Sequence, residues 1–256
     1  MGMVASKEVV IDLLSAYRDL VPAEAKLANA IAARGIRVRS TVADQWSTLT
    51  DYVNLYGSGL SPAGVLVLGA GPDEGSKHTG IPFTGPRFAR ETLGLGARGD
   101  SQSPSEQGFW GAVQRASQLK GDAPLESFFG TVHLTHARPF NVESTHEVKD
   151  ASARHITRIL THTRPQLIIP VGTEPLHLLA RATGDTRLLD VASVGEESWL
   201  AHWGVGMRLL DYPYVDVPLR ARPFRARLAP VPALDGAHAA QAAQALTSLF
   251  TRVWSS

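Results

Sequence analysis

The chain has 256 residues, 25 Lys and Arg against 24 Asp and Glu, and an apolar fraction of 44%, which is enough for one full core, while a net charge of +1 does not by itself announce a polyanionic partner. It has no cysteine, which excludes disulfides, thiolate nucleophiles, structural cysteine–zinc sites and cysteine-ligated iron–sulfur clusters. No run of about 18 apolar residues suggests a membrane span, and the first 14 residues lack the charge and apolar pattern of a signal peptide, so the expectation is a cytoplasmic protein with no membrane contact.

Residues 7–34 carry apolar positions at helical spacing, with Pro22 separating two helices, and 43–55 reads as a third. A near-continuous apolar run, Val65 to Gly69, predicts a parallel strand covered on both faces. It opens into a loop rich in Gly and Pro that carries Asp73, Glu74, Lys77 and His78 and closes on Phe83 between Pro82 and Thr84-Gly85. A short helix is predicted over 87–93 after Pro86, a flexible loop over 95–106 and a helix over 109–119. The next strand is placed at 130–135, followed by a loop from His136 to Asn141, a helix over 147–162, a strand over 166–171 and a helix opening near Thr173. The stretch beyond is less readable. A last strand is placed at 227–231, then a loop from Pro232 to Gly236 and an Ala-rich helix over 237–253. Strand, loop and helix in succession predict a single three-layer α/β/α domain, residues 1–256, on a central, mainly parallel sheet with right-handed crossovers. Its helical part, 1–60, would pack on the rest. Ligands of such sheets bind beyond the carboxyl ends of the strands.

Charge adds two clusters. Arg208, Arg220, Arg222, Arg225 and Arg227 share one segment against Asp211 and Asp216, while Lys77, His78, Arg87 and Arg90 surround the first loop. Solvated surface arginines and phosphate-neutralising patches are both consistent with this. His133 and His136 point in different directions on a strand turning into a loop, and no third ligand is in register, so no metal is expected. There is neither a phosphate-cradling G-x-x-x-x-G-K-[ST] segment nor a G-x-G-x-x-G opening a helix, which disfavours a nucleotide-processing enzyme.

Three segments in order carry a resemblance. Gly69-Ala70-Gly71-Pro72 followed by Thr79-Gly80-Ile81-Pro82-Phe83-Thr84-Gly85 is similar to a G-x-x-P-G loop with a downstream T-G-x-P-F-x-G element. Val132 to Pro139 resembles a strand and loop that bear a base-reading Asn, and Arg164 to Gly172 resembles an R-P-x-x-I-x-x-x-G strand. Together the chain resembles the uracil-DNA glycosylase superfamily, nearest to its compact bacterial branches, over about residues 65–180. The resemblance implies the α/β/α fold, DNA as partner, a monomer, no cofactor, and a pocket into which a flipped base is drawn.

Several positions depart from that pattern. Ala70 and Gly71 stand where the first loop usually supplies a water-positioning carboxylate or Asn, Pro86 replaces an Asp, His136 replaces the base-reading Asn, and Pro230 to Gly236 lacks the late His. Asp73 and Glu74, two to three residues further on, are the catalytic candidates, as general base or as partner of a cationic sugar. Gly69, Ala70, Gly71, Pro72, Phe83 and His136 are the base-binding candidates, with Phe83 a ring fixed at the loop surface to stack on the base and His136 offering one donor and one acceptor. Lys77, His78, Arg87, Arg138, Arg222, Arg225 and Leu234 are the DNA-contacting candidates, with Leu234 as a wedge. Small residues at 70 and 71 imply a wider pocket floor, hence a modified or damaged pyrimidine rather than plain uracil. A glucosylated hydroxymethylcytosine of phage DNA, which would make this an antiviral defence enzyme, is one such base. The competing reading is a catalytically silent relative that binds DNA or a nucleotide in a regulatory role.

Overall fold

The computed structural model describes residues 64–71, 82–83, 103–138, 146–202, 212–218 and 222–254. The predicted helices within 7–34 and at 43–55 and 87–93 lie outside them, as do Pro72, Asp73, Glu74, Lys77, His78, Arg87, Arg90, Arg208 and Arg220.

Among the described residues, five strands form one sheet in the order β2-β1-β3-β5-β4. They are β1 (Val65–Gly69), β2 (Val132–His136), β3 (Leu167–Pro170), β4 (Tyr214–Val217) and β5 (Phe224–Leu228). The first, second, third and fifth run parallel, and β4 pairs antiparallel to β5. This gives the expected three-layer α/β/α architecture on a mainly parallel sheet. The helices are α1 (Pro104–Leu119), α2 (Leu125–Thr131), α3 (His146–Thr163), α4 (Thr173–Thr183), α5 (Arg187–Ser193), α6 (Glu196–His202) and α7 (Ala239–Val253).

Alternation along the strands feeds two cores. Val65, Val67, Val132, Leu134 and Ile169 face Phe109, Trp110, Leu246 and Phe250 of α1 and α7. Leu66, Leu68 and Ile168 face Ile156, Ile159, Leu176 and Leu179 of α3 and α4, with Leu188 and Trp199 of α5 and α6 completing that side. All five residues of β1 are buried, as a strand with a helical layer on each face requires.

Three boundaries and one strand stand furthest from the sequence reading. The helix placed at 109–119 begins at Pro104, because Ser103 caps it. The Ser103 hydroxyl accepts from Glu106 N–H, the Glu106 carboxylate accepts from Ser103 N–H at 2.7 Å, and Pro104 occupies the first turn. Residues 130 and 131, placed in a strand, end α2, and β2 starts at Val132. The last strand lies at 224–228 rather than 227–231. Beyond Leu228 the pairing continues as an isolated bridge of Val231 to Val171. Finally, β4 was not anticipated. Its burial alternates exposed and buried, its length is four residues, and Pro213 and Pro218 flank it.

Candidate functional site

In the parallel set, the chain moves from β1 outward to β2 and then back across to β3, so neighbouring strands β1 and β3 flank the reversal of winding. Crevices at such reversals, beyond the carboxyl ends of the strands, are where open α/β sheets take ligands. The strand ends there are Gly69-Ala70-Gly71, His136-Ala137-Arg138 and Pro170-Val171-Gly172.

Backbone pairing continues past the strands and fixes these ends against one another. Gly69 stands opposite His136 in the ladder. Ala137 N–H then donates to Gly69 O at 2.7 Å, and Arg138 N–H to Ala70 O at 2.8 Å. Gly172 N–H donates to Val231 O at 2.8 Å. Gly172 adopts φ 85° as the cap of α4, a conformation open to glycine at little cost.

Arg138 Nε donates to Glu174 Oε1 at 2.8 Å. Glu174 lies in the first turn of α4, where a carboxylate complements the exposed N–H groups of the helix start. The Arg138 guanidinium crosses Gly71 so closely that a Cβ on residue 71 would lie 2.5 Å from its Nη2. Glu196, at the start of α6, accepts from Ala233 N–H at 3.1 Å and so ties the loop after β5 to this edge.

His136 is the chemically distinctive group. It is 3% exposed, and among the described residues neither ring nitrogen has a hydrogen-bond partner. Burial lowers its pKa from the usual 6.5 to about 3, with the nearby charges of His155 and Arg138 acting in the same direction. Its ring is therefore neutral at physiological pH, with one donor and one acceptor nitrogen unspent.

The remaining sequence candidates fall in different places. Gly69, Ala70, Gly71, His136 and Arg138 converge at the sheet edge. Phe83 is near it but not at a loop surface: it is 8% exposed and stacks on Phe109 with ring centroids 4.7 Å apart. Its φ is 63°, which costs a non-glycine residue about 1–3 kcal/mol. Burial of the ring and a hydrogen bond from the Trp110 indole to the Phe83 carbonyl offset that cost. Pro82 and Phe83 close over Gly69, whose missing side chain makes room for them.

Leu234 does not project as a wedge would. It is 2% exposed, sits in the core and packs against Gly108 of α1. Arg222 and Arg225 lie at the other end of the sheet. Arg225 precedes Arg227 by two residues, Arg227 is level with Leu167, and Leu167 is level with Val65. At about 3.3 Å per residue, six residues separate Arg225 from the level of Gly69, about 20 Å. There Arg225 pairs with Asp216 at 2.7 Å, and Arg187 bridges Asp216 to Asp185. Arg227 lies over the Tyr214 ring, 4.2 Å from its centroid.

The sequence reading gave no site role to Glu174, Glu196 or Gly172. A Gly-Thr-Glu-Pro start to a helix was the available signal for the first and third; nothing local marks Glu196. Among the described residues no group of three His, Asp or Glu side chains could hold a metal ion, and no helix is long and apolar enough to cross a membrane. No family model and no curated protein matches the sequence.

Proposed function

We propose that the chain is a monofunctional DNA glycosylase that draws a modified or damaged pyrimidine out of the helix and hydrolyses its N-glycosidic bond. The observation that carries this reading is His136: a buried, neutral imidazole with both nitrogens unpartnered among the described residues, at the strand end beside Gly69-Ala70-Gly71. A base edge offers the complementary donor and acceptor that such a ring lacks, and leaving it unsatisfied costs about 1–3 kcal/mol. The strand order, with a winding reversal between β1 and β3, supports a ligand at the same edge.

In the proposed reaction, the C1′–N bond breaks with its electron pair leaving on the base, and water adds to C1′. One proton of that water goes to Asp73 or Glu74, which follow Gly71 in the sequence by two and three residues; the base leaves as an anion and takes a proton from solvent, and the carboxyl returns its own proton to solvent. The space over Gly71 is taken by the Arg138 guanidinium, so room for a substituent on the base rests on Ala70, hence a substrate larger than uracil such as a glucosylated hydroxymethylcytosine of phage DNA. An antiviral defence role would follow from that substrate. The protein acts as a monomer in the cytoplasm without a cofactor, with DNA as its partner.

A second reading, a silent relative that binds DNA or a nucleotide for regulation, has its own support. Phe83 and Leu234, proposed to handle the base and the duplex, both serve the core. Oligonucleotides carrying uracil, hydroxymethyluracil or glucosylated hydroxymethylcytosine, incubated with the protein and then treated with alkali, separate the two. Strand breaks that disappear in the Asp73→Asn, Glu74→Gln double variant and fall in His136→Leu support the glycosylase. Binding without breaks on any substrate supports the silent relative and overturns the glycosylase.

A further inference from the structure

A groove of about 800 Å³ follows α4 from Thr173 at the sheet edge to Gly184, with Arg138, Lys149, His177 and Arg181 on its walls. At 1.5 Å per residue its helical wall is about 16 Å long. His177 and Arg181 are one turn apart on it, so that polar groups recur about every 6 Å. Two of these groups are already engaged. Arg138 pairs with Glu174, and Arg181 with Asp150 at 2.7 Å. Lys149 and His177 are exposed, and among the described residues neither has an ion pair or hydrogen bond. The lining thus has three cationic side chains against one carboxylate, Glu174, and Asp150 stands just behind Arg181. Apolar surface is present as well, chiefly Leu189, which is 44% exposed.

We propose that this groove is a track for a single nucleic-acid strand leading away from the sheet edge, with Lys149 and His177 contacting its phosphates; this rests on the DNA reading above. Three features favour a strand over a lone anion. The lining of the groove follows α4 from Thr173 to Gly184, its polar groups repeat along one helix face rather than converging, and it includes Arg138, the residue that also crosses Gly71. An exposed leucine beside the cationic row gives an unstacked base a surface to lie on. The ion pairs of Arg138 and Arg181 are partly exposed, and a phosphate competes for such pairs at small cost.

The test uses the full chain and a 5′-fluorescein-labelled single-stranded 20-mer, with anisotropy read from 50 to 200 mM salt. Lys149→Glu combined with His177→Glu is expected to weaken binding at least tenfold. Lys149→Gln alone is expected to flatten the slope of log K against log salt by about 0.7, the value for one phosphate contact on a single strand. Lys120→Glu, which reverses one lysine charge at the end of α1 on the opposite layer, is expected to leave both unchanged. If the wild type binds the 20-mer but the double variant matches it in affinity and slope, the groove is not the track and the DNA reading stands. If sodium phosphate displaces the 20-mer far better than chloride of the same ionic strength, the groove holds one anion and the strand proposal fails. If the wild type binds no DNA at 50 mM salt, the DNA reading falls and takes the groove with it.

Discussion

The guanidinium of Arg138 lies directly over Gly71, where a Cβ would come within 2.5 Å of Nη2 and 2.6 Å of Cζ. Gly69, two residues earlier, is covered by a different kind of neighbour: its Cβ would come within 2.4 Å of Pro82 Cβ and 3.3 Å of Phe83 Cζ. The two glycines therefore differ in what a methyl group would cost. A guanidinium at the end of a flexible chain can step aside, whereas a proline ring beside a buried, stacked Phe83 cannot.

Gly69→Ala is accordingly expected to destabilise by about 1–3 kcal/mol, the usual cost of overpacking. Gly71→Ala is expected to cost under about 1 kcal/mol while displacing Arg138 from Glu174. Thermal melts followed by circular dichroism check this. Equal midpoints for the two variants would contradict the contrast.

His136 gives a pH signature. Its folded pKa is about 3, below the unfolded value of about 6.5, so the unfolded chain takes up the proton first. The contribution of His136 to stability is complete above pH 6.5 and is lost as pH falls from 6.5 toward 3. Between pH 7.5 and pH 5 the loss amounts to about 2 kcal/mol. Urea unfolding at the two pH values should show a smaller decline in His136→Leu than in the wild type by about that amount. Parallel declines would mean that the ring is protonated equally well in both states.

The start of α1 offers a local test. Removing the Ser103 hydroxyl leaves Glu106 N–H without its cap acceptor, and Ser103→Ala should cost about 1 kcal/mol. That corresponds to a drop of about 2–4 °C in Tm for a protein of this size. Ser103→Asp, which keeps an acceptor at the cap, should restore most of it.

What the sequence made legible follows from how local each signal is. The strand β1 and the starts of β3 and α4 were readable because continuous apolar runs between turn residues suffice to mark them. The start of α1 was also written locally, as Ser103-Pro104-Ser105-Glu106, yet its serines and proline looked like loop composition. In β5 the alternation of Phe224-Arg225-Ala226-Arg227-Leu228 was masked by its arginines, which read as a basic patch, while the apolar run just after it drew the strand three residues too far. At the site, the convergence of residues 69–71 with 136 and 138 followed from strand order. The fates of Phe83 and Leu234 did not, because they depend on Phe109 and Gly108, residues distant in the chain that become neighbours only on folding. The partners of Arg225 likewise come from β4, a strand with no readable signal.

That strand has a consequence for the protein in concentrated solution. A parallel sheet ending on β5 would expose a row of free amides and carbonyls, a template onto which another molecule's strand could add. Among the described residues β4 closes that side of the sheet; it is four residues long, with Asp216 exposed, and is bounded by Pro213 and Pro218, which have no amide hydrogen to donate. Growth of the sheet from molecule to molecule is blocked at that margin. Replacing Pro213, Asp216 and Pro218 together should show it as a rise in light scattering on prolonged incubation.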